Sequence, residues 1–225
     1  MKLNSYILPN DTKDNMRNKL SETRQDQRED KPELGFTLCA NSANVIRSRG
    51  NPSGESDKIY IDPNACTGDE KFLGGYHTHP KIDSDASAND LVHCGRSKLA
   101  CIGGELDNKI KCYIWKDMQL SSEDMGKLAD GYISGHRDPK YKKNFDCIDD
   151  FEPLYYEEED LKDLNRGLKK LESDLHDLER DNIMISPIAR IQLSMVRTIR
   201  DRRVGTLTAS IKDKSKKYYN EVEIK

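Results

Sequence analysis

Gly74-Gly75-Tyr76-His77-Thr78-His79-Pro80-Lys81-Ile82-Asp83-Ser84-Asp85-Ala86-Ser87-Ala88-Asn89-Asp90 is the stretch whose reading decides the fold. Residues 72–78 are apolar and glycine-rich, which suits a strand. Side chains alternate across a strand, so His77 and His79 point to the same face. Two imidazoles on one face are a ready pair of metal ligands. Pro80 has no amide hydrogen and ends the strand. Ser87 and Asp90, three residues apart, share one face of a short helix. A loop of this length can bring that helix back over the strand end, with Asp90 as a third ligand. Two His, one carboxylate and a water is an arrangement that Zn²⁺ uses when it is catalytic, because one position stays open.

Working outward, residues 12–28 are polar and helix-prone, with a thin apolar stripe at Met16 and Leu20, and the Glu29-Asp30-Lys31-Pro32 run breaks that helix. Leu34, Phe36 and Leu38 alternate with Gly35 and Thr37 as in a strand, and Val45-Ile46 begins another. Ile59-Tyr60-Ile61 reads as a third, short strand. Beyond the decisive stretch, residues 87–93 suggest a helix stopped at Gly95. Residues 99–103 and 110–115 are two strands whose Asp107-Asn108 suits a hairpin turn. A helix opens near Ser121, and residues 135–150 read as loop.

The last third is different. Leu161, Leu164, Leu168, Leu171, Leu175 and Leu178 step by 3 and 4, an a/d seam that Asn182 and Ile185 continue. Ser186-Pro187 is a helix start signal, and Ile188, Ile191, Met195 and Ile199 form the next apolar stripe. Two such helices joined tightly predict an antiparallel hairpin. The alternation in residues 204–211 and 218–224, around Asp213-Lys214-Ser215-Lys216, predicts a β-hairpin.

Composition sets the class. Charged residues make up 34% of the 225 and hydrophobic ones 35%, so part of the length is solvated helix, linker or tail. No run approaches the ~20 apolar residues of a membrane span, and the first residues lack the apolar core of a secretion signal. A formal net charge of −3 gives no reason to expect nucleic acid. The six cysteines have no C-x-x-C pair, and several lie in apolar runs. That spacing predicts buried, reduced thiols and a cytoplasmic location rather than a disulfide framework. It also lacks the paired ligands of a structural zinc knuckle.

An H-x-H pair alone occurs on ordinary polar strand faces, and Ser-x-x-Asp alone marks a helix start. Together, at the spacing H-x-H-x7-S-x-x-D, they resemble the JAMM motif of the MPN-type zinc metallopeptidases. His77, His79, Ser87 and Asp90 match it without insertion or deletion. The resemblance covers roughly residues 10–135. It implies an MPN (cytidine-deaminase-like) α/β fold, a mixed curved sheet flanked by helices. A linker at 136–153, the helical hairpin at 154–203 and the β-hairpin tail at 204–225 lie outside it. The resemblance also implies Zn²⁺ held by His77, His79 and Asp90, a hydrogen bond from Ser87 to the oxyanion, and a general-base Glu on an early strand. Glu33, 44 residues before His77, is the candidate base. The family's glycines are displaced here: Gly35 follows Glu33 by two residues rather than three, and Cys39-Ala40 stand near the place of the second.

The implied activity is hydrolysis of isopeptide or peptide bonds, with a protein or peptide substrate, including ubiquitin-like modifiers. The alternative from another class is a non-catalytic MPN scaffold that assembles a complex through its C-terminal helices. The leucine seam would then close between copies or with a different chain, as a homo- or hetero-oligomer. A zinc deaminase would carry an H-x-E and P-C-x-x-C pair, and this sequence has neither. Neither a membrane nor a nucleic acid is an expected partner.

Overall fold

The structure, a computed structural model, describes residues 1–3, 5–52, 54–55, 58–180 and 186–224. It is a mixed α/β fold. Two short strands, β1 (Lys2–Leu3) and β2 (Tyr6–Ile7), lead into helix α1 (Asn10–Gln25). Then come β3 (Gly35–Ala40), β4 (Ile46–Arg49), β5 (Lys71–His79), the one-turn helix α2 (Ala88–Leu91), β6 (Leu99–Gly104) and β7 (Lys109–Trp115). Helices α3 (Ser122–Ser134), α4 (Lys142–Arg180) and α5 (Pro187–Tyr218) and strand β8 (Tyr219–Glu223) complete the chain.

The main sheet has six strands in the order β4-β3-β5-β6-β7-β8. Only the central β5–β6 pair is parallel; the others are antiparallel. A parallel pair needs a crossover, and the chain between β5 and β6 supplies it through the Pro80 turn and α2. Alternation along the strands sorts side chains to two cores. On one face, Leu38, Tyr76, Cys101 and Ile114 pack with Met16 and Leu20 of α1. On the other, Ile102, Tyr113 and Trp115 pack with Leu91 of α2, Phe151 and Leu161 of α4, and Leu207, Ile211 and Tyr218 of α5.

Four expectations are corrected. Residues 204–218 are not a hairpin arm but the end of α5. Leu207, Ile211, Ser215 and Tyr218 recur at helical spacing and are buried. The 213–216 run is not a turn, because Lys214 pairs with Asp150 of α4 at 2.8 Å. Only β8 is extended, and it adds to β7 as the edge strand, with Tyr219 opposite Trp115. Residues 136–153 are not a linker either, since α4 starts at Lys142 and runs through Pro153. Tyr141 with Phe145 and Cys147 with Phe151, each pair four residues apart, are buried and anchor this segment; that spacing was masked by the charged residues between them. Residues 59–61 form no strand. They cover β3 and β5 instead, with Ile61 against Gly75.

The fourth correction concerns the cysteines. All six are paired: Cys39–Cys66, Cys94–Cys147 and Cys101–Cys112. Cys101 and Cys112 stand opposite each other on the β6–β7 hairpin, whereas the other two pairs join elements far apart in the chain, where spacing could not reveal them. Reduced thiols therefore give no ground for a cytoplasmic location. No helix among the described residues is long and apolar enough to cross a membrane.

The helical hairpin at 154–203 exists within α4 and α5, with Arg197 on Glu172 at 2.6 Å and Arg190 on Glu179 at 2.5 Å joining its two arms. Its seam closes only near the sheet. Leu161 and Leu168 are buried, whereas Leu171 and Leu178 on α4 and Ile188, Ile191, Met195 and Ile199 on α5 are exposed. Asn182 and Ile185 lie outside the described residues.

Alkylation of the denatured, unreduced protein should label none of the six cysteines, and all six after reduction. Cys94–Cys147 closes a span of 53 residues. Replacing both by Ser should lower unfolding stability by about 4 kcal/mol on loop-entropy grounds, measured by denaturant titration.

Candidate metal centre

The centre lies where β5 ends, and the strand pairing assembles it. In the antiparallel β3–β5 register Gly35 stands opposite His77, so Glu33, two residues earlier, falls beside His79. The Thr78 amide donates to Leu34 O at 2.9 Å, and the Leu34 amide donates to the Thr78 hydroxyl at 3.0 Å, which fixes this register at the strand end. Glu33 is held on its other side as well: its amide donates to Glu55 O at 2.8 Å and its carbonyl accepts from the Gly54 amide at 2.8 Å. Gly35 has no room for a side chain, since a Cβ there would lie 2.2 Å from Tyr76 O. The spacing Glu-x-Gly thus has a local steric cause, whatever the usual family spacing.

The loop after Pro80 folds back because its polar groups find partners on β7 and the turn before it. The Ser84 hydroxyl donates to Asp107 at 2.6 Å, the Ala86 amide donates to the Tyr113 hydroxyl at 3.1 Å, and Lys111 pairs with Asp85. Ser87 then caps α2, accepting from the Asp90 amide at 3.2 Å. The cap is reciprocal, as Asp90 Oδ2 accepts from the Ser87 amide at 2.8 Å and its hydroxyl at 2.7 Å. This box turns the Asp90 carboxylate back toward the strand.

Three side chains converge as a result. His77 Nε2 and His79 Nε2 are 3.1 Å apart. Asp90 Oδ1 is 3.0 Å from His77 Nε2, and Oδ2 is 3.4 Å from His79 Nε2. A tetrahedral ion with bonds of ~2.0–2.1 Å places its ligands about 3.3 Å apart, so these spacings match the edges of such a site. Glu33, His77 and His79 also form a buried group whose donor atoms lie within 4.8 Å of one another, one that could hold a metal ion. Asp90 lies outside that group, but its carboxylate approaches both imidazoles, so the His77–His79 pair is shared between two carboxyl groups. His79 Nδ1 is buried and has no hydrogen-bond partner among the described residues. Buried polar atoms of this kind cost free energy and concentrate at functional positions.

Electrostatics separate the two carboxyl groups. Burial disfavours a charged Asp90, yet the imidazoles of His77 and His79 hold it well below the usual carboxylate range. Burial pushes Glu33 up, with His77 and His79 opposing and Asp90 assisting. Burial also works against a charged His77, but Asp90 and then Glu33 outweigh it and push it up to about 9.

The four groups line a cleft of about 280 Å³ whose walls include Ile59, Tyr60, His93, Glu158 and Lys162. His93 is exposed on the rim. His136 and His176 lie elsewhere on the surface. Glu158 is the residue that sequence reasoning missed, as it was counted within the acidic run at the start of the hairpin. It lies four residues after Leu154 and three before Leu161, on the helix face that packs inward, and an acidic residue on that face was the available signal.

No family model and no curated protein matches the chain. One solved structure that it resembles is the crystal structure of a JAB1/MPN domain protein from Archaeoglobus fulgidus, at 19% identity with a TM-score of 0.33. The match covers 53% of this chain and 96% of that one.

Elemental analysis of protein purified without chelator should give about one metal equivalent per chain, with most of it lost in His77→Ala and in Asp90→Ala. Less than a tenth of an equivalent in the unsubstituted protein would remove the site from consideration.

Proposed function

We propose that the chain is an MPN-type, zinc-dependent hydrolase that cleaves peptide or isopeptide bonds. The observation that carries this reading is the convergence of His77, His79 and Asp90 at tetrahedral spacing, with Glu33 buried beside them in one cleft. The donor set suits zinc: two neutral imidazoles and one carboxylate leave a fourth position for water. When bound there, the ion supplies a Lewis acid and a water acidic enough to ionise near neutral pH.

The protein's own groups do the rest. Glu33 takes the proton as the water adds to the substrate carbonyl, then gives it to the leaving nitrogen. Its raised proton affinity favours that return step. Ser87 donates to Asp90 Oδ2 at 2.7 Å at rest, and in this reading its hydroxyl turns to the oxyanion as negative charge develops. The apolar wall of Ile59 and Tyr60 accommodates the substrate chain. The three disulfides suit an oxidising compartment, which gives extracellular-type peptides a place beside ubiquitin-like isopeptides among the substrates to assay.

The second reading, a scaffold that assembles through its C-terminal helices, is favoured by the exposed apolar positions on the outer half of the hairpin. Turnover separates the two. The full chain loaded with zinc should cleave at least one member of a panel of linear and isopeptide-linked substrates. Zinc binding with no cleavage across the panel would favour the scaffold.

Two variants assign the roles. Glu33→Gln should keep its zinc and lose about 10²–10⁴ in turnover, because an amide cannot accept the proton. Ser87→Ala should still take up zinc at saturating concentration, though more weakly for want of its cap on Asp90, and lose about 10²–10³ in turnover, the size of one missing oxyanion donor. Metal released from Ser87→Ala would instead make the Asp90 hydrogen bond the main task of that hydroxyl.

A further inference from the structure

Asp90 is carried by the least self-sufficient element of the fold. Helix α2 has four residues, too few to form a stable turn unaided. Its first-turn amides must find acceptors outside the helix. Ser87 takes one of them, the Asp90 amide. The other two go to a residue 70 positions away: Glu158 Oε2 on α4 accepts from the Ala88 amide at 3.0 Å and from the Asn89 amide at 3.4 Å. The far end of the same turn is held from the same side. Asn144 of α4 donates to Cys94 O at 2.5 Å, Cys147 of α4 is bonded to Cys94, and the Tyr219 hydroxyl of β8 donates to Leu91 O at 2.5 Å.

From this arrangement we infer that Glu158 is a positioning residue of the metal centre, which fixes the first turn of α2 and through it the ligand carboxylate of Asp90. The inference rests on the metal-site reading given above. It makes the C-terminal helices part of the site: α4 carries no ligand, but it holds the element that does. Outer groups that orient ligands commonly contribute 10–100-fold to metal affinity. Glu158 is placed to do so through two backbone amides rather than through the ligand side chain.

The test uses the full chain with Glu158→Ala, Glu158→Gln and, as a control on the same helix, Glu157→Ala. Zinc affinity is measured by chelator competition, and hydrogen exchange of residues 87–94 is followed in the metal-free protein. Glu158→Ala should bind zinc 10–100-fold more weakly and exchange faster at Ala88 and Asn89, with an unchanged melting temperature before zinc is added. Glu158→Gln keeps an acceptor oxygen and should recover most of the affinity, and Glu157→Ala should match the unsubstituted protein. Should Glu158→Ala fail to fold, Glu158→Asp carries the same test, its carboxylate being one methylene too short to reach both amides. Unsubstituted affinity in Glu158→Ala, or in Glu158→Asp where that replaces it, overturns the inference and leaves the metal reading intact. Absence of zinc from the unsubstituted protein would fail the metal reading instead. The exchange rates would then decide the role of Glu158 alone: faster exchange supports it, and unchanged exchange overturns it.

Discussion

The register between β3 and β5 is the constraint on which the rest depends. A one-residue slip would send His77 and His79 to the opposite face, toward α1, and would carry Glu33 away from them. Several features forbid the slip. Tyr76 is buried on the α1 face, where its hydroxyl donates to Met16 O at 2.7 Å. Thr78 points the same way and is bonded to both Leu34 and Thr23. Gly74 allows β6 to approach closely, since a Cβ there would fall 1.7 Å from Leu99 O. Burial on one face of β5 thus determines what the other face presents, and the other face presents the imidazoles.

The second constraint works on the opposite wall of the cleft. A loop that leaves a strand at a proline could place Asp90 in many positions. Here its path is determined by partners on β7 and by the packing of α2 under α4 and α5. Trp115 of β7 ties these layers together, with the rings of Tyr218 and Tyr219 at 6.1 and 5.3 Å. Because β8 extends the sheet and α4 lines the cleft, the candidate site does not lie in a detachable first half. Removing residues after 150 would take away the sheet's edge strand, the covering of Trp115 and the acceptor for two α2 amides. By contrast, the outer half of the helical hairpin touches none of this, and its exposed leucines and isoleucines lie apart from the site.

What the sequence made legible follows from the range of the interactions involved. The strand that carries His77 and His79, the helix cap at Ser87 and the two strands after it rest on short-range rules of alternation, capping and turn chemistry, and all were read correctly. Readings failed where tertiary contacts decide. Val204 to Ile211 alternates well enough to pass for strand, but burial of Leu207 and Ile211 against α4 selects helix. Ile59-Tyr60-Ile61 has strand composition, yet it lies across the sheet instead of in it. Two of the disulfides join residues 27 and 53 positions apart, which no local pattern encodes, while the third crosses the β6–β7 hairpin. Glu158 belongs to the same class: the two amides that it accepts from are 69 and 70 residues away.

Asp90 and Glu33 show how one cleft gives two carboxyl groups different tasks. Both are buried, and burial alone would make each reluctant to ionise. Asp90 escapes that fate because His77 and His79 stabilise its charge, and the Ser87 amide and hydroxyl donate to it as well. It remains a carboxylate and is suited to hold a cation. Glu33 faces the same imidazoles from the strand side, but burial outweighs them and the nearby charge of Asp90 adds to it, so its proton affinity rises. A metal ion at the convergence point would lower that affinity again, bringing it back toward the range where a carboxylate both accepts and returns a proton. The two carboxyl groups thus differ in proton affinity because the imidazoles and the helix cap together support the charge of Asp90, while burial prevails at Glu33.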